Sequence, residues 1–187
     1  MTLSKVDAPA PRPEIREDPK TLTVDVGDGV KMEFVRIAAG RFTMGSPEDE
    51  KDRNKGETPH EVTISKSYYL GKHEVTQEQY EALTGKNPSE FKGKRNPVEK
   101  VSWDEAVAYC QKLNERLAKT GRRCRLPTEA EWEYACRAGT TTPFHFGERL
   151  NGREANCNGK YPYGTTTKGP YLVKTCRVGS YEPNAWG

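Results

Sequence analysis

Arg125-Leu126-Pro127-Thr128-Glu129-Ala130-Glu131-Trp132-Glu133-Tyr134-Ala135-Cys136-Arg137-Ala138-Gly139 carries both ends of a helix within one short stretch. Thr128 can accept from the backbone N–H three residues on, while Glu131 reaches back to the N–H of Thr128, a reciprocal capping box. Pro127 biases Leu126 away from helical geometry, so extended chain stops there. Trp132, Ala135 and Cys136 recur at +3 and +4, the spacing of one buried stripe. Arg137 suits the negative end of the dipole, and Gly139 can take the left-handed stop.

Working outward, the same device opens two more helices. Thr76 with Gln79 starts one that runs through Tyr80 and Leu83 and ends before Gly85 and Pro88. Ser102 with Glu105 starts another, with Ala106, Cys110, Leu113 and Leu117 as its apolar stripe and Gly121 as its close. Arg122–Leu126 then reads as a strand feeding the central helix. Toward the N-terminus, Lys31–Ile37 and Arg41–Gly45 read as two short strands joined by Ala38-Ala39-Gly40. Val62 and Ile64 alternate with polar residues, and Tyr68-Tyr69-Leu70 continues the extended pattern. Ser46–Glu57 holds five acids and three bases and predicts a solvated loop. Residues 1–22, with prolines at 9, 11, 13 and 19 and mixed charge, read as a disordered tail ahead of one domain over 23–187. Beyond Gly139 the chain is rich in loop.

Composition limits the function classes. Of 187 residues 33% are hydrophobic, and the mean hydropathy is -0.93, so the core is thin and the chain reads as soluble. A net charge of +3 argues against a nucleic-acid surface. No window approaches the ~18 apolar residues of a membrane span, and the N-terminus lacks the apolar centre of a signal peptide. Oligomeric state and compartment leave no mark. Five cysteines, at 110, 124, 136, 157 and 176, contain no C-x-x-C pair and define neither a zinc site nor a closed disulfide framework. His60, His73 and His145 are scattered and lack metal-ligand spacing. Gly164-Thr165-Thr166-Thr167-Lys168-Gly169 is followed by Pro170 rather than a helix, so it reads as a surface turn and not a phosphate loop.

The central string resembles the R-L-P-T-E-A-E-W-E-Y-A-C-R segment of the formylglycine-generating enzyme (sulfatase-modifying factor) family. Phe42-Thr43-Met44-Gly45-Ser46, His73-Glu74-Val75-Thr76-Gln77, Pro97–Trp103, Ala155-Asn156-Cys157 and Val178–Gly187 resemble further signatures of that family, in its order. The resemblance covers the chain from about Val30 to Gly187. It implies an α+β domain with the C-type-lectin-like fold of that family, built from few short helices and strands and much ordered loop.

Catalytic members oxidise a cysteine in a sulfatase peptide of the Cys-x-Pro-x-Arg type to formylglycine, with oxygen and a copper ion held by two cysteines. Soft thiolates suit Cu(I). The resemblance places those cysteines in a C-terminal segment entered through G-L-x-D-M-x-G-N-x-W-E-W, beyond Gly187. The expectation is therefore a C-terminally incomplete domain, inactive alone, with no residue assigned as catalytic. Cys110 and Cys136 match positions that, in secreted members, pair with cysteines of that segment; their helical spacing otherwise makes them core thiols. Asn156, through its side chain, and Cys157, through its carbonyl, match two ligands of a structural calcium site that catalytic members complete with a downstream Asp, where this chain has Lys168-Gly169. A sulfatase-type cysteine peptide is the expected partner. Two alternatives are a non-catalytic lectin-like binding module and a domain of an iron-dependent sulfoxide synthase.

Overall fold

In the computed structural model, which describes residues 19–187, the strand Val30–Ile37 touches both parts of the core. The chain runs through β1 (Thr21–Gly27), β2 (Val30–Ile37), β3 (Gly40–Met44), β4 (His60–Ile64), β5 (Tyr68–Gly71), α1 (Gln77–Thr84), α2 (Trp103–Leu117) and α3 (Glu129–Arg137). β1 thus opens inside the stretch that composition assigns to the tail, whose first eighteen residues lie outside the described ones.

β2 is the middle of a three-stranded antiparallel sheet ordered β1-β2-β5, with Val24 opposite Met32 and Val35 opposite Leu70. Successive side chains of a strand point to opposite faces. On one face Met32 joins Val26, Tyr80, Tyr109, Leu113 and Leu117. On the other, Val35 and Ile37 join Ile64, Tyr134 and Ala135. β2 therefore serves one cluster built on α1 and α2 and a second built on α3.

β3 leaves this sheet and pairs with β4, Phe42 facing Val62. The two strands expected around Ala38-Ala39-Gly40 are present but do not form a hairpin. A side chain at Gly40 would collide with the hydroxyl of Tyr134, so the missing Cβ lets α3 lie against β3.

All three capping boxes form, at Thr76–Gln79, Ser102–Glu105 and Thr128–Glu131. Gly85 closes α1 in the left-handed conformation. At α3 the stop comes one residue earlier than expected: Ala138 takes the left-handed cap at φ 46° and Gly139 follows at φ +90°. Residues 122–126 are irregular rather than a strand: the N–H and carbonyl of Cys124, at their middle, are both taken by the Asn114 side chain of α2 instead of a sheet edge.

The long loop after α1 is organised by one side chain. Gln77 is 1% exposed. Its Nε2 donates to the carbonyls of Phe91 and Pro97, at 2.9 and 3.2 Å, and its Oε1 accepts from Asn87 and from the N–H of Gly93. Every hydrogen-bonding direction of a buried amide is used, which fixes the loop on the helix start.

Candidate functional site

An open cleft of about 1800 Å³ lies between the β1-β2-β5 sheet, α2, α3 and the segment 175–187. Phe34, Tyr68, Cys110, Trp132, Asn156 and Tyr181 are among the residues that line it. α3 brings the distinctive string to this wall. Its first turn is fixed by Glu131, which accepts from the N–H of Thr128 at 2.9 Å and takes Arg125 through both oxygens at 2.6 Å. The Tyr68 hydroxyl donates to the Glu131 carbonyl at 2.5 Å, tying α3 to β5. At the other end Asn184 donates to the carbonyls of Ala135 and Cys136, and Trp186 meets Tyr134 edge-on at 4.9 Å. The closing signature thus supplies both a cap and a core residue for α3.

Trp132 was expected on the buried stripe of α3; it is 58% exposed. Tyr134 and Ala135 are the buried face instead. A period of +3 and +4 fixes which residues share a face, and here the aromatic lies at the edge of that face, over the cleft.

A smaller recess of about 750 Å³ adjoins β3 and the end of α3. Glu133 accepts from the N–H of Gly45 at 3.0 Å and from Arg137 at 2.8 Å, while Arg137 donates to the Gly45 carbonyl at 2.7 Å. This network ties the Phe42–Ser46 signature to the central string.

Burial pushes the Tyr68 and Tyr109 phenols well above their ordinary range, so both stay neutral donors. His73, which touches Gly179, is held low by burial, then by Lys72. Burial also raises the Cys136 thiol. Glu131 is lowered to about 2, chiefly by Arg125.

The cysteines, which contain no C-x-x-C pair in sequence, fall into neighbouring groups in the fold. Asn114 of α2 holds the backbone of Cys124 one helical turn from Cys110, so the two thiols bear on each other's ionisation, and Cys176 and Cys157 lie beside the Tyr181 phenol. The sequence signal for the first pair was the reversal at Gly121, which returns the chain along α2. Cys110 and Cys124 are soft donors, but at positions where the resemblance places no copper ligand.

Asn156 and Cys157, the residues matched to a calcium site, lie beside the segment 174–176. The Asn156 amide nitrogen donates to the Lys174 carbonyl at 2.9 Å, and the Cys157 carbonyl accepts from Gly159. Calcium takes about six to eight oxygens. These two residues offer two, with a cation, Lys168, where the acid would be, and the described residues contain no group of three or more His, Cys, Asp or Glu able to hold a metal.

Among the described residues no helix is long and apolar enough to cross a membrane.

The sulfatase-modifying factor enzyme 1-like domain family matches residues 25–187. The chaperone protein LppX of Paenibacillus barcinonensis is 33% identical over 140 residues, covering 59% of this chain and 47% of its own. The formylglycine-generating enzyme of Mus musculus is 27% identical over 211 residues, covering 82% and 54%. The chain spans about half the length of these relatives. Among solved structures, PvdO from Pseudomonas aeruginosa superposes with a TM-score of 0.66 at 28% identity, over 91% of this chain and 70% of that one.

Proposed function

The chain belongs to the family of sulfatase-modifying factor enzyme 1-like domains, and from that premise we propose that its cleft binds an extended cysteine-containing peptide of the sulfatase type, while its own five cysteines do not carry out the oxidation. The observation that carries this reading is the α3 wall of the cleft. A neutral phenol at Tyr68 and an exposed indole at Trp132 stand beside the Arg125–Glu131 pair. Such a surface offers an apolar platform with fixed polar edges, the usual make-up of a site that orients a ligand.

The thiols support the second half. Oxidation of a bound peptide needs thiolates that hold a soft metal and face that peptide. Cys110 is buried with Cys124 next to it, the Cys124 and Cys136 thiols are both pushed up, and Cys157 and Cys176 lie beside a phenol rather than a base. Copper-held oxidation, in this reading, draws on cysteines other than these.

Titration with a Cys-x-Pro-x-Arg peptide, followed by tryptophan fluorescence, is expected to give a saturable change that a scrambled peptide does not give. Trp132→Phe is expected to lose most of that change. Equal responses to the two peptides would contradict the reading. They would favour the second one, a non-catalytic polypeptide-binding module, for which the name of the LppX relative speaks.

A further inference from the structure

Cys110 and Cys124 are fourteen residues apart, yet the fold brings Cys124 back alongside α2, within one helical turn of Cys110. After α2 the chain turns back at Thr120, whose N–H and hydroxyl both donate to the Leu117 carbonyl, at 2.8 and 2.7 Å. Gly121 supplies the reversal with φ +71°. Asn114, one turn beyond Cys110 on α2, then grips the backbone of Cys124 at both ends. Its Oδ1 accepts from the Cys124 N–H at 2.6 Å, and its Nδ2 donates to the Cys124 carbonyl at 3.0 Å. Held this way, Cys124 packs on the same cluster as Tyr109, Leu113 and Leu117, and because Cys110 and Asn114 stand at i and i+4 on one face of α2, it lies next to Cys110. Both residues line the cleft, Cys124 half-buried and Cys110 behind it, so a small molecule in the cleft meets the pair from the Cys124 side.

We propose that Cys110 and Cys124 form a reversible redox modification site, a dithiol that closes to an intramolecular disulfide by exchange with a low-molecular-weight disulfide. This pairing departs from the one the family resemblance implies for Cys110, which is to a cysteine elsewhere. It is independent of whether the cleft binds a peptide.

The exchange balances in two steps. The thiolate of the pair attacks one sulfur of the small disulfide; the sulfur–sulfur bond breaks and one thiolate leaves, to be protonated by solvent. The second cysteine gives its proton to water and attacks the mixed disulfide, expelling the second small thiol. One small disulfide is reduced to two thiols, and two cysteine thiols are oxidised to one disulfide. The neighbouring thiol assists the first step: an S–H of Cys124 favours a thiolate on Cys110 and holds its pKa below the ordinary thiol range, while the pKa of Cys124 is held above it.

The product ties the last two turns of α2 to the segment entering α3, without moving Asn114. The test uses the whole chain in oxidised and reduced glutathione at graded ratios, with alkylation and peptide mass mapping. Oxidation is expected to lower the free thiols from five to three. The peptides bearing Cys110 and Cys124 should be joined, two hydrogens lighter than their sum, and dithiothreitol should restore all five. Cys136→Ser should leave this link intact. Cys124→Ser should instead accumulate a glutathione adduct on Cys110. Asn114→Ala, which removes the clamp and leaves both thiols, should slow closure. A link joining other cysteines, or alkylation of both Cys110 and Cys124 at ratios where exposed thiols are already glutathionylated, would overturn the proposal. Circular dichroism of each variant separates a lost link from a lost fold.

Discussion

Glu131 serves two partners at once, the N–H of Thr128 and the Arg125 guanidinium. Its carboxyl is lowered to about 2, with Arg125 the largest cause. A depressed carboxylate stabilises the fold fully above its unfolded value, about 4.3, and loses that contribution as pH falls through the folded value. Stability is thus expected to decline between about pH 4 and pH 2. Glu131→Gln, which keeps an acceptor for the cap but cannot titrate, should flatten this part of the acid limb in denaturant midpoints. Thr128→Ala removes the hydroxyl that accepts from the Glu131 N–H and is expected to cost about 1 kcal/mol at neutral pH. An unchanged midpoint would mean that the cap contributes nothing to the folded chain.

At the scale of elements, α2 holds the first cluster through Leu113, which is 0% exposed. Leu113→Ala leaves a cavity against Val26, Met32 and Tyr109 and is expected to cost roughly 2–5 kcal/mol, read from denaturant unfolding. A loss under 1 kcal/mol would show that the sheet collapses onto the gap. The helices were legible because each start is a local pattern: Thr76–Gln79, Ser102–Glu105 and Thr128–Glu131 need only four adjacent residues. Strand partners were not. β2 and β3 follow each other in sequence yet join different sheets, since pairing is decided by distant β1, β4 and β5. The same distance rule hid the Cys110–Cys124 contact, which depends on a reversal and on Asn114. Asn156 and Cys157 were legible as a signature, but the carbonyl of Lys174 that occupies the Asn156 amide comes from a loop no local pattern places.

For the whole molecule, the sheet, α2 and α3 leave a large cleft with Trp132 at its wall. An apolar surface of this kind binds hydrophobic dyes in a folded protein. Enhanced dye fluorescence is expected while near-ultraviolet circular dichroism still reports native packing, and Trp132→Ser should reduce it. Dye binding that appears only after tertiary signal is lost would assign it to unfolded chain rather than to the cleft.

The central claim is that this domain presents a cysteine peptide without oxidising it through its own thiols. Mass spectrometry of a Cys-x-Pro-x-Arg peptide, incubated with the 187-residue chain, copper and oxygen, tests it most directly. The peptide is expected to be recovered with its cysteine unconverted. Conversion of that cysteine to formylglycine, abolished by Cys110→Ser or Cys124→Ser in a chain that still folds, would place the oxidation on this domain's own thiols and contradict the claim.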